Sequence, residues 1–88
     1  MSQTATCEHR EWVLSILDEF ECRLVRYVTR LLGDEDSARD VVQFAFMQLC
    51  SQSPEKLHGR EAQWIFTVCR NRAVDTIRQR RRSRSLEQ

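Results

Sequence analysis

From residue 60 onward the sequence interleaves arginines with flat and amide side chains: Arg60, Trp64, Phe66, Arg70, Asn71, Arg72, Arg78 and Arg81. Single-stranded nucleic acid calls for that mixture. Bases stack on aromatic faces, guanidinium groups hold phosphates, and an amide can bond a base edge. A second group, Asp40, Gln43, Phe44 and Met47, is spaced by threes and fours, which on a helix makes one mixed patch. Exposed apolar side chains rimmed by polar ones mark partner sites.

Catalysis finds no support. There is no His/Asp/Ser constellation and no glycine-rich phosphate loop. Cys7, Cys22, Cys50 and Cys69 form no CxxC pair, and His9 and His58 lie far apart. Cys7 and His9 could share a metal, but their spacing fits no standard zinc pattern. The expectation is a non-enzymatic protein without metal or cofactor.

Each group also has a plainer reading. Phe44 and Met47 could pack under another helix of the same bundle. Trp64 could be core, although Trp64 and Phe66 point about 200° apart, so both are core only if two faces are buried. Asn71 could bond a neighbouring backbone group, and Asp75 could pair with Arg72 or Arg78, three residues away on either side. The arginines from Arg78 to Arg84 serve phosphate contact and plain solubility equally well.

The elements that must position these residues are helical. Only two Gly and one Pro interrupt 88 residues, and no stretch alternates as a strand would. A first helix from about Glu8 to Leu32 carries the apolar stripe Val13, Ile16, Leu17, Phe20, Leu24, Tyr27, Val28 and Leu31. Gly33 suits its C-cap, and Asp34 suits the N-cap of a second helix with inward face Ala38, Val41, Val42, Ala45, Phe46 and Leu49. Ser53-Pro54 could cap one short turn in the following loop. A third helix runs from about Glu61 to Arg82, with Trp64, Ile65, Val68, Cys69, Ala73 and Ile77 as apolar positions. The fold expected is all-α, a compact bundle of three main helices with a short extra turn in the 53–60 loop.

Charge is divided along the chain. Residues 60–88 hold eight arginines against three acids, a net +5, while residues 1–59 hold six basic and ten acidic side chains, a net −4. That asymmetry points to an anionic partner at one end. The polar N-terminus lacks a signal peptide's apolar stretch, and no run is long enough to span a bilayer, so a cytoplasmic protein without membrane partner is expected.

The stretch Asp36-Ser37-Ala38-Arg39-Asp40-Val41-Val42-Gln43-Phe44-Ala45-Phe46 resembles the A-E-D-L-V-Q-E-T-F segment of bacterial sigma factors of the extracytoplasmic-function (ECF) group. Trp64 to Arg78, with arginines after it, resembles their W-L-x-x-I-A-x-N-x-x-x-D-x-x-R. The motifs stand in the family's order, and the resemblance covers about residues 14–82. It implies a region 2 domain over residues 1–82, with 83–88 beginning the linker to a helix-turn-helix domain (region 4) for which these residues hold no sequence. It implies that Asp40 and Gln43 dock on the clamp helices of the largest subunit of core RNA polymerase. It implies that the third helix and the loop before it open the promoter −10 element, capture the non-template strand, and hold a flipped base near Asn71. Trp64 matches a mainly structural position near the edge of the melted DNA. Anti-sigma factors commonly inhibit the family, and nothing here identifies one. Arg39 and Phe44 stand where the family usually has Glu, and Ala45 where it has Thr, so the clamp-facing surface is less acidic than usual. The alternative function is a helical protein-interaction module with a basic solubilising tail.

Overall fold

The computed structural model describes the backbone of residues 2–87 and the side chains of residues 8–83. It holds four helices: α1 (Ser2–Leu32), α2 (Glu35–Cys50), the one-turn α3 (Pro54–Leu57) and α4 (Glu61–Glu87). Among the described residues there is no strand. The all-α reading and the short turn at Ser53-Pro54 hold. Two boundaries differ. α1 starts at Ser2 rather than Glu8, and α4 continues past Arg82 to Glu87. Apolar periodicity marks only the buried part of a helix. Once nucleated, a helix extends through residues such as Gln, Ala, Arg and Leu without help from packing.

Local chemistry sets the turn between α1 and α2. Gly33 adopts φ 85°, a left-handed conformation that side chains with a Cβ disfavour. Its N–H donates to the Thr29 carbonyl at 2.7 Å, closing the last turn of α1. Asp34 is extended (φ −149°), and its carboxylate accepts the Ser37 N–H at 2.8 Å. Hydrogen bonds from Ser37, with Arg80 adding to them, hold that carboxyl below its ordinary 3.8. The Ser53 hydroxyl, at the N-cap of α3, donates to Glu55 instead of capping a backbone N–H. Pro54 supplies the fixed φ that starts that turn.

The core is dry. Leu24, Val28, Ala38, Ala45, Leu49, Ile65, Cys69 and Ala73 expose no surface, and no polar side chain is buried among the described residues. The inward face read for α2 is buried at all six positions. Alanines at 38, 45 and 73 let helix backbones approach, while Leu24, Leu49 and Ile65 fill the space between them. Burial of each large side chain contributes about 2 kcal/mol. At the end of α1 the stripe shifts by one residue: Leu32 is buried and Leu31 is 38% exposed.

α1 packs on both α2 and α4, and α2 packs on α4. Phe66 seals the α1–α4 seam, edge-on to Phe20 (6.3 Å between centroids) and Tyr27 (5.6 Å). Two polar ties finish the bundle. His9 Nε2 donates to the Cys50 carbonyl at 2.8 Å, fastening α1 to the last turn of α2. Arg80 reaches from α4 to the α1–α2 turn, donating to the Leu32 carbonyl (3.0 Å), the Asp34 carboxylate (3.2 Å) and the Ser37 hydroxyl (2.8 Å).

Candidate functional site

The outer strip of α2 carries the first candidate surface. Asp40 and Gln43 are exposed, and Met47 is 65% exposed. An apolar side chain that free on a packed helix fits a partner-facing position. On the α1 side, Gln43 and Met47 join a groove of about 490 Å³ with Val13, Leu17, Val42 and Phe46. Arg39 also borders it and pairs with Glu35 at 2.7 Å, where both side chains are exposed. That i,i+4 pair fixes direction more than energy.

Phe44 departs from this strip. It is half-buried and turned toward α4, and the Arg72 guanidinium carbon lies 4.4 Å from its ring centroid. The grouping with Asp40, Gln43 and Met47 is therefore corrected. Spacing places the four positions on one arc of α2, but α4 crosses beside that arc and claims the aromatic ring.

The second candidate surface is a stripe along α4. Trp64, Asn71 and Arg78 are seven residues apart, so each stands only about 20° round the helix from the last. Two shallow grooves lie along the stripe. The first, about 330 Å³, is lined by Leu57, Arg60, Gln63, Trp64 and Thr67. The second, about 250 Å³, is lined by Phe44, Gln48, Val68, Asn71, Arg72 and Asp75. Trp64 is half-buried, with its ring partly in the core and partly on the first groove. Arg60 reaches back to accept a place at the end of α3, donating to the Lys56 carbonyl at 3.0 Å.

Other expected site residues lie elsewhere. Phe66 is in the α1–α4 seam, away from both grooves. Arg70 is exposed and about 100° round the helix from Asn71. Arg78 and Arg81 are exposed, whereas Arg80 between them is the strap to the α1–α2 turn. Asp75 forms no ion pair among the described residues, because Arg72 lies over Phe44 instead. The Asp75–Arg72 and Asp75–Arg78 pairings are corrected accordingly. The Cys7 side chain lies outside the described residues, and His9 is engaged by the Cys50 carbonyl.

Sequence reasoning missed Gln48 and Asp75 as groove residues, and read Arg72 only as one of the α4 arginines. The stripe Val68, Asn71, Arg72 and Asp75 is visible in helical spacing alone. Gln48 and Phe44 enter only through the way α2 lies against α4. The mixture in that groove is chemically specific. Gln48 and Asn71 both donate and accept, Asp75 accepts, and Arg72 donates in a planar fork.

The sequence pattern that defines sigma-70 region 2 matches residues 9–83. The chain belongs to that family. Among curated proteins, this region 2 domain is similar to the ECF RNA polymerase sigma factor SigL of Mycobacterium tuberculosis, in the Erdman, CDC 1551 and H37Rv strains. Identity is 40% over 70 residues, covering 76% of this chain and 39% of each relative. The chain thus spans about two fifths of the length of the curated relatives it matches. No solved structure matches it. The outer strip of α2 and the grooved stripe of α4 are both left open by the packing. No described helix is long and apolar enough to cross a membrane.

Proposed function

We propose that this region 2 domain serves transcription initiation in the cytoplasm as a non-enzymatic factor. Asp40, Gln43 and Met47 dock on the clamp helices of the largest subunit of core RNA polymerase. Trp64, Asn71, Arg60 and Arg78 receive the unpaired non-template strand of the −10 element. Opening a duplex costs a few kcal/mol for each base unstacked, so the protein must offer stacking and hydrogen bonds to what it exposes. The observation that carries this reading is the α4 stripe. Trp64 and Asn71 each line a groove on that face, exposed Arg78 continues it, and the Asn71 groove offers donors and acceptors from Gln48, Asn71, Arg72 and Asp75. Residues 83–87 continue α4 and would lead toward a −35-reading domain, and an anti-sigma factor would compete for the same exposed strip of α2.

Two variants separate the surfaces. Asn71→Ala should reduce promoter opening about tenfold, the size expected for a lost base-edge contact of about 1–3 kcal/mol, and leave polymerase affinity unchanged. Asp40→Ala with Gln43→Ala should do the reverse. Permanganate footprinting of the melted region and core-polymerase pull-down read the two effects. Undiminished opening in Asn71→Ala would remove the base-capture role. Nucleic-acid affinity indifferent to salt would return the chain to the reading of an interaction module with a solubilising tail.

A further inference from the structure

We propose that Phe44 is a positioning residue for nucleic acid: its ring holds the Arg72 guanidinium at the mouth of the Asn71 groove, ready to take a phosphate of the captured strand. The inference rests on the nucleic-acid reading above and assigns to it a pair of residues on two different helices.

The geometry is direct. The guanidinium carbon stands 4.4 Å from the Phe44 centroid, within the reach at which a cation is attracted to a ring face. Guanidinium groups stack on rings by their flat face and carry their N–H groups in that plane, so a stacked Arg72 keeps them available for two parallel bonds to a phosphate. Among the described residues Arg72 makes no side-chain hydrogen bond and no ion pair, although Asp75 is only three residues away. An exposed arginine ordinarily loses rotamer freedom when it grips a ligand. Here the ring has restricted it beforehand, which lowers the cost of binding.

The rest of the groove fixes what sits where. Val68 and Phe44 give apolar walls, and Gln48, Asn71 and Asp75 give hydrogen-bonding groups suited to the edge of a base. Asp75 accepts bonds from a base amino group but repels a phosphate. The phosphate is thereby directed to Arg72 and the base toward Asn71. Leucine at position 44 would fill similar space but carries no ring quadrupole, so the cation would be released.

Fluorescence anisotropy of the full 88-residue chain with a labelled single-stranded DNA oligonucleotide, over a salt series, tests the pair. Phe44→Leu should weaken binding about three- to tenfold with unchanged helical circular dichroism, and Phe44→Tyr should restore it. Arg72→Ala should weaken binding at least as much and reduce the salt slope by about one phosphate contact. Adding Phe44→Leu to Arg72→Ala should cost nothing more. Ring-current displacement of the Arg72 side-chain N–H resonance, lost in Phe44→Leu and kept in Phe44→Tyr, reports the stack without ligand. Wild-type affinity in Phe44→Leu, or an equal loss on the Arg72→Ala background, overturns the proposal. If Asn71→Ala weakens binding while Phe44→Leu does not, this inference alone fails. If the unaltered chain does not bind the oligonucleotide, the nucleic-acid reading fails and this one with it.

Discussion

Cys69 illustrates how far a single side chain can be read. It lies one turn from Ile65 and one from Ala73, all three fully buried, and helical spacing alone places it in the core. Burial disfavours the thiolate and pushes the thiol from 9.0 up to about 12. The folded chain therefore keeps that proton longer than the unfolded chain. The resulting stabilisation is intact below about pH 9 and is lost as pH rises toward 12. Denaturant titrations at about pH 8 and about pH 10.5 should show a steeper loss of stability for the wild type than for Cys69→Ala. Iodoacetamide followed by peptide mapping should modify the exposed Cys22 and Cys50 in the native protein, and Cys69 only after unfolding. By contrast, neither Phe44 nor Arg80 could be placed from its own neighbourhood. Phe44 has the spacing of a surface patch and the surroundings of a seam, and the partners of Arg80 are more than forty residues away in sequence.

At the scale of elements, the junctions were more legible than the ends. Gly33 and Asp34 carry their reasons in their types: one residue tolerates the left-handed turn, the next offers an acceptor to the orphan Ser37 amide in the first turn of α2. A Cβ added at Gly33 would meet nothing within 4 Å, so Gly33→Ala isolates backbone strain. It should cost about 1–2 kcal/mol in urea denaturation, with Gly33→Asn costing less because Asn enters the left-handed region more readily. A loss near zero would mean that the turn relaxes. The outer limits of α1 and α4 were not legible, because beyond the last packed residue nothing in an apolar pattern distinguishes a helix from a coil. α4 also showed why its own sequence misleads. Its arginines look like one basic tail, yet Arg72 turns to α2, Arg80 straps the α1–α2 turn, and Arg78 and Arg81 remain exposed.

For the whole molecule, α1 supplies the platform, and the strap from Arg80 settles how the far half of α4 lies against it. Three acceptors of different kinds meet one guanidinium. Arg80→Ala should lower the melting temperature by a few degrees, and Arg80→Lys should not restore it, since one compact ammonium cannot match a planar fork spread over three acceptors. Full recovery in Arg80→Lys would reduce the strap to a simple charge effect. The bundle itself was foreseeable because its core is made of periodic aliphatic positions. The grooves were not, because each is built from two elements and depends on their crossing. That crossing has a consequence at the step from Gln43 to Phe44. These adjacent residues, about 100° apart on the helix, line different grooves, Gln43 the one shared with α1 and Phe44 the one shared with α4. A polymerase helix lying along Asp40 and Met47 would then rise beside the Gln48–Asn71 groove as an additional wall. Nucleotides held there would touch both proteins at once, so the recess would reach its full depth only in the three-component assembly.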